Sequence, residues 1–324
     1  MGSVRSRRGT KWLKRGPGAW IAWAVLVCLC AMLKAVPVRW IPAAGRALGW
    51  LMYRLMGPRR RIALENLTTA LGRCKGPYAR REILRSLARN LGMTVAELGH
   101  PGYLCLDTLR RHVPIRGLHH LDQALAGGRG AILVTAHFGN FPLLLARLGL
   151  EGYRVGVVVR DPRHPPVARF LDRWRARVGV ITLRDKPRWA SAKEALALLQ
   201  SNGVLVLHID LNVSRGGMYV PFFDRWVPTF QGPALLSLRT RAPVLPAFMR
   251  RIHDTDHRLV IEAPVVSPET GDHKEDTWRL LWALTRRTEA TIREYPQQWW
   301  WIHRRFRKAR AEVEVGRPLP DSSA

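Results

Sequence analysis

The sequence predicts an α/β fold: a mixed, largely parallel sheet flanked by helices, with an N-terminal membrane-anchoring helical region in front of it. Three observations carry that expectation. From Val113 onward, short apolar runs alternate with basic amphipathic segments, the texture of strands and helices laid down in turn. Before that point, apolar positions recur at helical spacing. At the front, eighteen uncharged residues, Gly16 to Leu33, follow a stretch that is basic and contains no acid. A length of 324 residues suits one α/β domain with an appendage. The expected divisions are a basic N-terminus, membrane anchor and interfacial helix over 1–56, a helical region over 57–112, the α/β domain over 113–314 and a tail over 315–324.

Residues 1–15 carry Arg5, Arg7, Arg8, Lys11, Lys14 and Arg15. The uncharged run that follows is closed by Lys34 and just reaches the length of a transmembrane helix. No small-residue cleavage site follows it, so an uncleaved anchor is expected and not a signal peptide. Over 36–56, Trp40, Ile41, Leu48, Leu51, Met52 and Leu55 are set among Arg39, Arg46 and Arg54, the pattern of a helix lying in the interface. Basic residues flank the first segment on both sides. The positive-inside rule therefore gives no orientation, and a shallow or re-entrant insertion stands beside a full span.

Two helices follow, 59–71 and 79–99, separated by Gly76-Pro77. Their polar faces are mostly arginine, suited to solvent or to anionic headgroups. In the α/β part the expected strands are 131–136, 155–159, 178–183, 204–209, 244–249 and 258–263, and the expected helices are 141–149, 163–177, 189–201, 232–241 and 274–294. The segment 215–230 is aromatic, glycine-rich and broken by prolines, too irregular for a strand and too apolar for a free loop. It is expected to line an apolar groove, dip into lipid or pack in the core.

The 53 Lys and Arg against 24 Asp and Glu give a net charge of +29, which favours an anionic partner: a phospholipid surface, a nucleic acid or a phosphorylated substrate. Thirteen tryptophans among many arginines tilt the choice to anionic membrane lipids. Trp299, Trp300 and Trp301, beside Arg304, Arg305, Arg307 and Lys308, have an interfacial composition that would also serve base stacking. A nucleic-acid role leaves the anchor and the buried-strand histidine unexplained and is not expected. Cys28, Cys30, Cys74 and Cys105 match neither a metal spacing nor a disulfide framework, so four free thiols, no metal and no bound cofactor are expected.

The chemistry gathers at Gly130-Ala-Ile-Leu-Val-Thr-Ala-His137-Phe-Gly-Asn-Phe-Pro142. Ala131 to Ala136 suit a strand covered on both faces. Gly139 supplies a permissive turn, Asn140 can cap the next helix and Pro142 suits its start. His137 would thus stand at the carboxyl edge of the sheet, where reactive groups of α/β folds collect, as a general base. Such a histidine works better with a carboxylate at its far nitrogen. Residues 138–150 contain no acid, but Val204-Leu-Val-Leu-His-Ile-Asp210 is a second apolar run ending in one. Two parallel strands ending at the same edge would bring His137 and Asp210 into one cleft, with His208 as a polar core residue or a further member. Arg160 follows one strand, and Arg173, Arg175 and Arg177 precede another; guanidinium groups there suit an acceptor phosphate.

These residues resemble those of the bacterial lipid A biosynthesis acyltransferases, within the lysophospholipid acyltransferase superfamily. The likeness runs through Arg60-Arg-Ile-Ala-Leu-Glu-Asn-Leu67, Ala136-His-Phe-Gly-Asn-Phe141, Arg175-Ala-Arg177, Asp210, Val220-Pro-Phe-Phe223 and Pro296-Gln-Gln-Trp-Trp-Trp-Ile-His-Arg-Arg-Phe306, nearly the whole chain. It implies a membrane-bound enzyme at the cytoplasmic face of the inner membrane. Such an enzyme moves a fatty acyl chain from acyl carrier protein (acyl-ACP) or coenzyme A (acyl-CoA) to a hydroxyl of a lipid A precursor or related glycolipid acceptor. Carried over by position, His137 is the family's catalytic histidine, Arg175 its arginine near the site and Asp210 its aspartate; beside that resemblance, His137 with Asp210 is the expected catalytic pair, and Arg160, Arg175 and Asn140 are the expected substrate-binding residues. One position departs from the pattern. The family signature places an acid five residues after the histidine, and here that residue is Pro142. Three outcomes follow: Asp210 supplies the carboxylate, His137 works without one at a reduced rate, or the chain keeps only lipid binding.

Overall fold

A computed structural model of the chain describes residues 18–160, 165–213, 216–266 and 269–310. The basic stretch before Gly16 and the tail over 315–324 lie outside the described residues. The chain opens with helices α1 (Gly18–Ala35), α2 (Ile41–Leu55), α3 (Gly57–Leu71), α4 (Pro77–Gly99) and α5 (Leu106–His112). Among the described residues no single helix is long and apolar enough to cross a membrane. Val27–Ala35 and Val38–Leu55 together have the length and composition, but the pair bends by 117°.

Helix α2 packs on α4 through small residues. A Cβ on Gly92 would lie 2.2 Å from the Gly49 nitrogen, and one on Gly49 would lie 2.5 Å from the Ala88 carbonyl, so the two backbones are in direct contact. The opposite side of this helical pair presents Trp40, Trp50, Leu51 and Leu55 to the outside, and Arg54 stacks on the Trp50 ring at 4.7 Å.

The α/β part follows as β1 (Ile115–Arg116), α6 (Leu118–Ala126), β2 (Ala131–Thr135), α7 (Phe141–Leu150), β3 (Val155–Val159), α8 (Pro165–Arg177), β4 (Ile181–Arg184), α9 (Arg188–Gln200) and β5 (Val204–His208). A hairpin of β6 (Gly217–Pro221) and β7 (Trp226–Phe230) precedes α10 (Gly232–Thr240), β8 (Val244–His253), β9 (Asp256–Ile261) and α11 (His273–Glu294). Seven strands form one sheet in the order β1-β9-β8-β2-β5-β3-β4. The five from β8 to β4 are mutually parallel, and β9 joins β8 antiparallel, so the expected mixed, largely parallel sheet is present.

Alternation along the central strands divides the core. Ala131, Leu133, Val155, Val157, Val204 and Val206 face a layer that includes Leu121 of α6, Leu144 and Leu148 of α7 and Trp174 of α8. Ile132, Val134, Leu205 and Leu207 face Leu198 of α9, Ala234 of α10 and Leu280 and Leu284 of α11. Helices on both faces explain why β2 and β5 read as unbroken apolar runs.

The segment 215–230 corrects the expectation that it is no strand. Gly217 to Phe230 form the β6–β7 hairpin, and Phe222, Phe223, Trp226 and Val227 are buried. Phe223 and Phe222 pack on Trp299 and Trp301, so core packing accounts for Phe222, Phe223 and Trp226, while Phe230 is exposed. The same contacts correct the interfacial reading of the tryptophan run, since Trp299 and Trp301 are 1% and 0% exposed.

Candidate active site

Strand register assembles the centre of the site. β2 and β5 are parallel neighbours with Thr135 opposite His208. Each strand continues two residues beyond that pair, to His137 and Asp210, so the side chains emerge next to each other at the carboxyl edge. Asp210 Oδ1 lies 3.0 Å from His137 Nδ1. Asp210 Oδ2 accepts the backbone N–H of His137 at 3.0 Å and the indole N–H of Trp299 at 2.8 Å. The Asp210 side chain is shut off from solvent, whereas that of His137 is 16% exposed.

Burial alone would raise the Asp210 carboxyl. The charge His137 carries when protonated, its hydrogen bond and the Trp299 N–H outweigh burial and hold the group below the ordinary carboxylate range. An ionised Asp210 can only accept, so neutral His137 carries its proton on Nδ1 and leaves the lone pair on Nε2.

The turn after β2 is held from outside the sheet. Gly139 has φ +55°, and a Cβ there would lie 2.0 Å from the Met249 carbonyl, so backbone conformation and space both demand glycine. Its N–H donates to the Gln298 carbonyl at 2.9 Å, and the Trp300 N–H donates to the His137 carbonyl at 3.1 Å. Around the imidazole stand Trp300, stacked at 5.1 Å and 25°, Phe141, edge-on at 4.9 Å, and His208 at 4.5 Å. Burial and the neighbouring His137 push His208 down to about 3, so it stays neutral.

The other expected site residues separate. Asn140 stands at the N-cap position of α7, but its side chain makes no capping hydrogen bond. It is fully buried and donates to Glu97 Oε2 at 2.5 Å, which directs it to the interior. Glu97 also binds Arg251 Nη2 at 3.0 Å and His257 Nε2 at 3.2 Å. Burial would raise Glu97, but chiefly Arg251 holds it down to about 2; burial keeps His257 neutral, so Arg251 supplies the compensating charge. Arg175, 7% exposed, donates to Thr182 Oγ1 at 2.8 Å and to Asp172 Oδ1 at 2.6 Å. Thr182, the second residue of β4, pairs with Val157 midway along β3, and through it Arg175 ties α8 to β4. Arg160 follows β3 at the same edge as His137, with its side chain 77% exposed and its Nε 2.9 Å from Asp185.

Three side chains complete the centre without having been singled out as site members from the sequence. Trp299 binds Asp210, and Trp300 covers His137. Arg305, 1% exposed, donates to the carbonyls of Leu211 and Pro228 at 3.1 and 2.7 Å and to Thr229 Oγ1 at 2.7 Å, which pins the backbone just after Asp210 to the hairpin. Burial pushes its guanidinium down to about 10 against the favourable charge of Asp210. The signal for all three was present as Trp-Trp-Trp followed by arginines, but composition fits an exposed interface as well as a buried one.

Chemically, the arrangement is an oriented imidazole with one nitrogen free at the start of a helix, able to remove a proton and return it. Among the described residues, no three His, Cys, Asp or Glu side chains converge as a metal ion would need. The family model described as bacterial lipid A biosynthesis acyltransferase matches residues 7–308. The lipid A biosynthesis lauroyltransferase of Escherichia coli is 24% identical over 297 residues, covering 90% of this chain and 92% of that protein. The palmitoleoyltransferase of the same organism is 24% identical over 317 residues, 95% of each chain. The phosphatidylinositol mannoside acyltransferase of Mycobacterium tuberculosis is 32% identical over 228 residues, 62% of this chain and 70% of that protein.

Proposed function

Because this chain belongs to the bacterial lipid A biosynthesis acyltransferase family, we propose that it moves a fatty acyl chain from a thioester donor, acyl-ACP or acyl-CoA, to a hydroxyl of a glycolipid acceptor, with His137 as general base and Asp210 as its orienting carboxylate. Acyl transfer to a lipid or glycolipid acceptor is what the named relatives have in common. The donor, the oxygen nucleophile and the residue roles belong to this reading. The observation that carries it is the hydrogen bond between Asp210 Oδ1 and His137 Nδ1, made despite Pro142.

His137 Nε2 removes the acceptor hydroxyl's proton as the oxygen attacks the thioester carbonyl. The tetrahedral intermediate collapses to an ester and a thiolate, and the imidazolium returns the proton to the sulfur. Asp210 stabilises the imidazolium between those steps. Pro142 has no N–H and Leu143 already donates to the Asn140 carbonyl, so the amides of Asn140 and Phe141 are the donors we assign to the oxyanion. Arg160, exposed at the same edge, is the arginine we assign to an acceptor phosphate. The outward Trp40, Trp50, Leu51 and Leu55 with Arg54 support docking on the anionic inner membrane at its cytoplasmic face, where the thioester donors are.

The experiment is transfer of a labelled acyl group from either donor into lipid extracts by purified protein. His137→Ala is expected to cut transfer about 10²- to 10⁴-fold. Full transfer by that variant overturns the mechanism. Absence of product from the native chain with every donor, with lipid binding intact, overturns the enzyme reading in favour of a lipid-binding protein.

A further inference from the structure

We propose that Trp300 is a positioning residue for His137: its indole face holds the imidazole in line with Asp210 and favours the imidazolium that forms during proton transfer. The geometry is particular to this tryptophan. Trp299 and Trp301 are buried and tied by their indole N–H groups to Asp210 Oδ2 and to the Pro296 carbonyl. Trp300, half-buried between them, lays its ring on His137 at 5.1 Å between centroids and 25° between planes. Its backbone N–H also donates to the His137 carbonyl at 3.1 Å. The residue after His137, Phe138, and the residue before Trp300, Trp299, form an antiparallel bridge. The ring is therefore held against His137 by main-chain bonds to the very turn it covers, so the stack has little freedom to drift.

A π face carries negative potential, so a parallel cation over it is stabilised more than the neutral ring. The titratable groups that face the His137 ring are Asp210 just after β5, His208 within β5 and His303 in the C-terminal segment; α7 contributes Phe141, which has no charge. Burial pushes both His208 and His303 down, His208 to about 3. The imidazolium thus meets one carboxylate on its edge and one indole on its face. The inference deepens the reading of His137 as general base.

The test is an NMR titration of His137, assigned by comparison with His137→Gln, in the full-length detergent-solubilised protein without donor or acceptor. Two changes at position 300 are compared with the native chain: Trp300→Leu, and incorporation of trifluorotryptophan, which keeps the shape and weakens the π face. In both, the titration midpoint is expected to fall, by about 0.5 to 1.5 pH units for Trp300→Leu and by less for the fluorinated ring. The acidic limb of kcat/KM follows it while KM for the acceptor stays within about twofold. A role confined to packing would lower thermal stability and leave the midpoint in place. An unchanged or raised midpoint in the folded variants overturns the proposal, and if Trp300→Leu fails to fold the fluorinated protein decides alone. A shifted midpoint in a protein that transfers no acyl group overturns the acyltransferase reading and leaves this one standing.

Discussion

Asp210→Asn offers the sharpest test of the site, because the structure dictates how the amide must sit. Asp210 Oδ2 receives two donors, the His137 backbone N–H at 3.0 Å and the Trp299 indole at 2.8 Å. Only the carbonyl oxygen of asparagine can take that place. Its NH₂ group is then directed at His137 Nδ1, 3.0 Å away. An NH₂ donates, so Nδ1 must become the acceptor and the ring proton moves to Nε2, the nitrogen needed as base. The substitution thus inverts the tautomer with almost no change of shape, and it also removes the charge that stabilises the imidazolium. A wrong tautomer together with the lost charge is expected to lower kcat about 10³- to 10⁴-fold, roughly 4 to 5.5 kcal/mol in the barrier. KM for the acceptor should change little. Radiolabelled acyl transfer at saturating donor measures the rate, and circular dichroism checks the fold. A folded Asp210→Asn protein with kcat within threefold of the native chain would refute the dyad.

Two further outcomes follow from the same geometry. His208, at about 3, and His257, also lowered, resist protonation in the fold, so the unfolded chain binds protons that the folded one refuses once pH drops below 6.5. Stability is therefore expected to fall with pH between 7 and 4, by up to about 1.4 kcal/mol per pH unit for His208, with His257 adding to the fall below 6.5. Chemical denaturation at stepped pH measures this, and a flat profile would refute it. The two arginines should part company: Arg175→Ala is expected to cost about 1 to 3 kcal/mol of stability and leave acceptor KM unchanged. Arg160→Ala should raise KM for a phosphorylated acceptor about 3- to 10-fold with no effect on melting. The reverse pattern in melting and steady-state kinetics would show the assignment to be wrong.

Periodicity made the central sheet legible. The expected 155–159 strand coincides with β3, and 131–136 and 204–209 overrun β2 and β5 by one residue each, because strands buried on both faces leave an apolar run with clear ends. β4 starts three residues later than expected because Gly179, at φ +74°, turns the chain before Ile181. The β6–β7 hairpin was hidden by its chemistry. Its two-residue turn places Phe223 and Asp224 at φ +50° and +55°, positions where Asn-Gly is the usual signal. Pro221 and Pro228 further break the strand pattern. The turn is held instead by reciprocal bonds between Phe222 and Arg225 and by Glu289 of α11, which accepts the Phe223 N–H at 2.6 Å. No local rule reports a partner 66 residues away.

The site was legible for the same reason as the sheet. His137 and Asp210 each follow an apolar run, and the spacing from Ala131 to His137 equals that from Val204 to Asp210, so parallel pairing of Ala131 with Val204 suffices to bring them level. This also explains how the chain manages with Pro142. Nδ1 of one imidazole can be held by one carboxylate, and here an acid on the adjacent strand already holds it. A second acid in the first turn of α7 would have nothing left to orient, while proline there presets the helix and needs no N–H. What the sequence left hidden is the support behind Asp210: the Trp299 N–H and the Arg305 bond to the Leu211 carbonyl come from some 90 residues downstream. These contacts depend on which face of the tryptophan run turns inward, and composition carries no information about facing. The register of two strands therefore sets where His137 and Asp210 stand, and the distant C-terminal segment helps keep the Asp210 carboxylate buried and aimed at one nitrogen.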